Sequence, residues 1–212
     1  MGKIKQGILG AVSGKVGSVV GSSWKGIATL RSLAASVANP RTAPQVNART
    51  KFTGIVKFAS QILAEIVKPL WDRFAQQESG YNAFIRRNYP ASSDLGVIDP
   101  TLIVTSQGKM SSTGINTATA DISSDDIGVT WSNDSGQGFK LATDVAYLTI
   151  FNTTTGEVRG YSNPSITRAT GNISLFWAPV LLAHIHYAYL SFKRVDGTIV
   201  SDSSLSLVTV TP

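Results

Sequence analysis

The chain changes its hydrophobic period once, near Pro90, and that change constrains the fold more than any other feature. Upstream, Phe52, Ile55, Val56, Ala59, Ile62, Leu63, Ile66, Val67, Leu70, Trp71 and Phe74 recur at three and four residues. This is the spacing of an amphipathic helix, and its start is expected between Ala43 and Asn47. Pro69 lies inside the pattern and predicts an end or kink near Val67, with a short segment after it, because its ring lacks an N–H and collides with the preceding turn. Ser79 is placed to cap a short helix through GYNAFIRRN, closed by Pro90. Downstream the helical period disappears. TLIVTSQG, NTATADI, IGVTWS, DVAYLTIFN, GEVRGYS, GNISLFWA, IHYAYLSFKR and SLSLVTV are short β-prone runs bounded by turn residues. Hairpins are expected across TTTG at 153–156 and VDGT at 195–198. Seven or eight such strands predict an antiparallel β-sandwich of immunoglobulin-like scale.

The first 42 residues follow neither pattern. MGKIKQGILGAVSGKVGSVVGSSWKG carries four lysines and no acid, with glycine at 7, 10, 14, 17, 21 and 26. On a helix those glycines would cost about 1 kcal/mol each against alanine. KVGSVVG and GIATLRS instead read as strands separated by SSWKG, giving a β-hairpin from about Lys15 to Ser32. An isolated hairpin is marginal in water, so the arm needs a surface to lie on. LAASVANPRTAPQV then reads as an extended linker. The expected class is therefore α+β: a basic hairpin arm over 1–42, a helical region over 43–90 and an Ig-like sandwich over 91–212.

Charge divides the chain the same way. Residues 1–90 hold 13 Lys and Arg against 3 acids, whereas residues 91–212 hold 6 against 10. The arm of one copy is thus electrostatically matched to the body of another. There is no cysteine, which excludes disulfides, thiolate metal sites and thiol nucleophiles. The opening does not read as a signal peptide, since Lys15 and the glycines interrupt its apolar run. MGKIKQ lacks the Ser or Thr of a myristoylation site. No stretch is apolar over the length of a membrane span.

Chemical motifs are sparse. His184 and His186 would share one strand face and supply two metal ligands, but no third ligand stands nearby in sequence, so the pair reads as polar residues at a strand's start. SSDD at 123–126 and NDSGQG at 133–138 have the composition of calcium loops without the EF-hand spacing, and read as turns. GSSWKG lacks the Lys-Ser/Thr of a phosphate loop. No nucleophile elbow is present, and Glu65, Asp72 and Glu78 read as solvated helix surface. These absences predict a protein without catalytic, cofactor or metal residues.

The residues assigned to docking on protein are Val16, Val19, Val20, Trp24, Ile27 and Leu30 in the arm, with Phe52, Trp71 and Phe74 on the helices. Lys3, Lys5, Lys15, Lys25, Arg31 and Arg41 are assigned to contacts with phosphate or an acidic partner.

KIKQGILGAVSGKVGSVVGSSWKGIATLRS, NPRTAPQVNARTKF and GYNAFIRRN resemble an uncharacterised family of Bacteroidota and their phages, whose members begin with a glycine-rich basic block and end in a β domain. A looser likeness is to phage structural proteins that run from a GxVG…R hairpin into an NPxTxxQ…R…F helix. Here Gln45 follows Ala43 and Pro44, so that match is partial. The resemblance implies a virion component made in the bacterial cytoplasm, acting among other virion subunits as a homo-oligomer within an assembly. Two alternatives stand beside it. One is a nucleic-acid-binding packaging protein with Trp24 stacking on a base. The other is a cell-surface or glycan-binding module with Tyr161, Trp177, Tyr187 and Tyr189 as an aromatic platform.

Overall fold

A computed structural model describes residues 3–4, 11–24, 27–36 and 41–211, without the side chains of Lys3, Ile4 and Trp24. The chain forms two compact units, Met1–Thr42 and Ala43–Pro212. Residues 43–90 and 91–212, separate in the sequence reading, fold together as the second of these.

The first unit is a sheet in the order β1 (Lys3–Ile4), β2 (Val12–Val16), β3 (Val19–Trp24) and β4 (Ile27–Ser32). All its pairings are antiparallel. The expected hairpin is present as β3 and β4, paired from Val19↔Ser32 to Trp24↔Ile27. It is extended on the other side, because KVGSVVG is two strands: Gly17, at φ 56°, turns the chain back between β2 and β3. A turn residue in the middle of the run was read as part of one strand.

The second unit opens with α1 (Ala43–Gln61), which starts where the periodicity places it. The expected break near Val67 is a widening instead. Residues Leu63–Val67 form a π-helical turn that leads directly into α2 (Lys68–Trp71). Val67 N–H donates to Ile62 O at 3.1 Å and Lys68 N–H donates to Leu63 O, each five residues back. The wider turn accommodates Pro69, which has no N–H to donate, without ending the helical path. α3 (Gly80–Asn88) begins at Ser79, whose Oγ accepts the Asn82 N–H at 3.2 Å.

The sandwich consists of β5 (Ile115–Asp121), β6 (Asp126–Trp131), β7 (Val145–Asn152), β8 (Glu157–Thr167), β9 (Asn172–Phe176), β10 (His186–Lys193), β11 (Ser204–Leu207) and β12 (Thr209–Thr211). One sheet has the order β11-β10-β7-β8 and the other β12-β5-β6-β9. The chain crosses between the sheets from β6 to β7, β8 to β9, β9 to β10 and β11 to β12, as in Greek-key sandwiches. SLSLVTV, expected as one strand, is two. Buried Val208 marks the switch, with β11 on β10 and β12 parallel to β5. The TTTG hairpin joins β7 and β8. At VDGT only a single bridge, Lys193↔Val200, closes the turn below the longer β10–β11 pairing.

TLIVTSQG is not a strand. After a 3-10 turn at Pro100–Leu102, its backbone groups are taken mainly by side chains, while Ser106 O accepts the Ser203 N–H at 3.1 Å. Asn88 Oδ1 accepts from Val104 N at 2.7 Å, Asn88 Nδ2 donates to Val104 O at 3.0 Å, and Trp71 Nε1 donates to Thr105 O at 2.8 Å. These bonds stitch the segment to the helices.

Two cores result. Ile127, Val129, Trp131, Leu148, Ile150, Trp177, Leu190 and Phe192 fill the space between the sheets. Ile55, Phe58, Ile62, Ile66, Leu70, Trp71 and Phe84 pack with Phe151, Val158 and Tyr189 on the outer face of the β10–β7–β8 sheet. Alternation along β7 and β10 feeds both cores, one side of each strand to each.

Candidate functional site: the arm and the open sheet edges

Within the arm, glycine placement follows from geometry. β2 kinks at Gly14, at φ 97°, and a Cβ on Gly21 would overlap the carbonyl oxygen of Val12. Only a residue without a side chain allows that approach. Partners in an antiparallel pair share a face. The register Lys15↔Val20↔Arg31 therefore puts Lys15, Val20 and Arg31 on one face, and Val16↔Val19 with Gly21↔Leu30 puts Val16, Val19 and Leu30 on the other. All six residues of β4 are exposed, with Ile27 67% and Leu30 65% accessible. Lys15 and Arg31 are exposed and form no ion pair among the described residues.

Among the described residues β4 is an edge strand, hydrogen-bonded to β3 alone. Leu33 N–H bonds Ser18 O at 2.7 Å, which fixes the alternation: Ile27, Thr29 and Arg31 bond inward, and Ala28, Leu30 and Ser32 turn their N–H and C=O outward. The arm's docking residues thus divide between its faces, Val16, Val19 and Leu30 on one and Val20 and Ile27 on the other. Arg41 is exposed beyond β4. Lys3 is in β1, while Lys5, Lys25 and the Trp24 side chain lie outside the described residues.

The helical docking residues separate. Phe52 is half-exposed on α1 and Phe74 partly exposed after α2. Trp71 is not available to a partner. It is buried against Phe84, edge to face with centroids 5.6 Å apart, and its indole N–H is used internally. The helical stripe is spent on the protein's own sheet.

The two histidines meet around Asn152. Asn152 Nδ2 lies 3.2 Å from His184 Nδ1 and 3.2 Å from His186 Nε2, so both ring nitrogens act as acceptors. The amide occupies the point where a metal shared by the pair would sit. Its Oδ1 is fixed by the N–H groups of Thr154 and Thr155. His186 is fully buried against Trp177, its Nδ1 lacks a partner among the described residues, and burial, then the neighbouring His184, lowers its pKa to about 4. The aromatic platform does not form, since Trp177 and Tyr189 are core residues. Arg159 covers the Trp177 ring at 4.5 Å.

The acidic loops serve the fold. Asp134 pairs with Lys140 at 2.5 Å and with Arg168 at 2.6 Å. Burial opposes its ionisation, but hydrogen bonds from Lys140 and Arg168, the Arg168 charge and Thr113 outweigh it and hold its pKa below the ordinary carboxylate value. Arg168 is fully buried over the Phe192 ring and also meets the fully buried Asp144. Asp125 Oδ1 accepts Val180 N at 2.8 Å. Sequence reasoning missed this ionic network, whose members are 24 and 34 residues from Arg168.

It also missed an open edge on the sandwich. Among the described residues β11 pairs with β10 alone, and Val208 N–H bonds His186 O, so Leu205 and Leu207 turn their backbone groups outward. Their side chains are 39% and 56% exposed. The visible signal was a strand, SLSL, without charge or proline.

Two packed sheets, crossed by the chain and covered on one outer face by helices, define a mixed α+β protein built around an immunoglobulin- or fibronectin-type sandwich. The chain belongs to a family of unknown function, DUF6266, whose model matches residues 10–206. Among solved structures, it is similar to the adhesin domain of Epf from Streptococcus pyogenes (14% identity, 48% of this chain and 33% of that one, TM-score 0.33). It is also similar to the FN1–FN3 domains of chicken CNTN1 (11% identity, 50% and 35%, TM-score 0.36). A third likeness is to the BSP domain of a biofilm-associated protein (18%, 49% and 14%, TM-score 0.29). The chain spans about a third or less of each of these structures. No curated protein matches it.

Proposed function

We propose that this protein is a non-catalytic structural subunit of a phage or phage-like particle, joined to its neighbours by its arm, with the sandwich presented outward. The observation that carries the reading is β4: six consecutive exposed residues on an edge strand, where the outward backbone groups of Ala28, Leu30 and Ser32 have no strand partner among the described residues. Strand addition is the binding mode such an edge supports. The resemblance to phage structural proteins supplies the setting. The occupant is another copy of the chain, because residues 1–42 carry six cations and no acid whereas residues 91–212 carry ten acids against six cations.

Leu30→Pro tests the reading at the edge, since the N–H it removes points away from β3. Full-length protein is compared by sedimentation velocity with and without the substitution. Parent oligomers that vanish in the variant, with the thermal melt of the body unchanged, support the assignment. Oligomers of unaltered strength in the variant would refute it.

A further inference from the structure

We propose that the acceptor for the arm is the outer edge of β11, so that β4 of one copy extends the β11-β10-β7-β8 sheet of the next. This rests on the strand-addition reading of β4 and names the surface that reading leaves open.

Exposed edge strands are normally protected by charge, proline, bulges or cover, because unpaired backbone groups recruit other strands. Three of the four sandwich edges carry such protection. β8 contains Pro164, the Glu157–Arg159 pair and an irregular register opposite Val145 and Tyr147. β9 is guarded by Arg159, whose guanidinium reaches Phe176 O at 3.4 Å and would repel a basic arm. β12 has three residues and is followed by Pro212. β11 carries no charge, proline or bulge, and the covering segment stops just before it: Ser203 N–H donates to Ser106 O at 3.1 Å and Thr105 N–H to Ser203 Oγ at 3.2 Å, with no hydrogen bond among the described residues to the outward backbone groups of Leu205 and Leu207. Its four residues are two serines and two leucines, and both leucines expose side chains on the strand positions whose backbone groups face outward.

β4 matches this edge. Its outward positions are Ala28, Leu30 and Ser32, so Leu30 brings an exposed apolar side chain to the same row as Leu205 or Leu207. Neither edge offers a charge at an outward position to oppose pairing, while the acidic half of the chain that carries β11 attracts the basic arm. Pairing leaves each copy with one donor and one acceptor, a head-to-tail arrangement that propagates into rings or filaments.

Leu205→Lys/Leu207→Lys places gatekeeping charge on the edge at exposed positions. Leu207→Pro removes an outward N–H by a different route. Each is made in full-length protein alongside Leu30→Pro and examined by sedimentation velocity. The expected result is self-association weakened about tenfold or more by both β11 changes and by the β4 change, with additive effects absent when the two edges are altered together. Loss through Leu30→Pro with normal association in both β11 variants would overturn the acceptor assignment while leaving the arm's role intact. Loss through the β11 variants alone would indicate β11–β11 pairing, and overturn both. A parent that is monomeric at every concentration would likewise overturn both.

Discussion

At the scale of single residues, the body depends on a few buried polar contacts. Trp71 anchors the helical layer through its ring and its N–H to Thr105 O. Trp71→Ala is expected to lower unfolding free energy by about 3–5 kcal/mol in urea titrations, the range for an emptied aromatic site. Arg168 carries a different liability. Arg168→Met would leave the carboxylate of Asp144 fully buried without its cation, and a loss of about 3–5 kcal/mol is expected in the same measurement. His186 adds a pH dependence on the acid side. Its pKa is about 4 in the fold, below the ordinary 6.5, so the unfolded chain binds the extra proton between those values. Its contribution is therefore fully present above about pH 6.5 and declines as pH falls toward about 4, by at most roughly 3 kcal/mol. Protonation would give Nε2 an N–H facing the Asn152 amide N–H2. The slope of stability against pH in that window should flatten in His186→Phe; an unchanged slope would assign the acid sensitivity elsewhere.

At the scale of elements, local chemistry decided what could be read from the sequence. The start of α1, the Ser79 cap and the β7–β8 turn were legible because each depends on neighbouring residues alone. Pro69 misled because tertiary packing favours a continuous helix: Ile66, Val67, Leu70 and Trp71 are all buried in the core cluster shared by the helices and the sheet, and a π-turn accommodates the ring. TLIVTSQG has strand composition, but Asn88 and Trp71, distant in sequence, take its backbone groups. Of the candidate site, the arm's residues were named from charge and β-prone spacing, whereas Trp71 was placed on the wrong side of the helix because periodicity marks an apolar stripe without saying what covers it. Leu205 and Leu207 became visible only with sheet order. The arm's glycines yield an element-level expectation. Gly21→Val should disrupt β2 against β3, since its Cβ would overlap Val12 O. Amide exchange in β2 and β3 should rise strongly while the protection of β7 and β10 stays constant.

At the scale of the whole molecule, both hydrophobic cores are built, among the described residues, from residues 55–208. The arm in contrast has charges of one sign and apolar side chains exposed on both faces. Two kinds of partner suit those properties, and salt separates them. If the arm bound nucleic acid through its six cations, log affinity would fall with log salt at a slope approaching about −5. Strand addition between copies is held by backbone hydrogen bonds and by leucine side chains, with the opposite charges of arm and body contributing mainly to encounter. Self-association of the full chain is thus expected to weaken by less than about tenfold between low and moderate salt, where exposed charges are screened. Removal of residues 1–42 should abolish that association and leave the melting of the remaining chain unaltered. A steep salt slope for duplex DNA, lost with the same deletion and unaffected by Leu30→Pro, would reassign the arm to the genome, because phosphate contacts need its cations and make no use of the β4 edge.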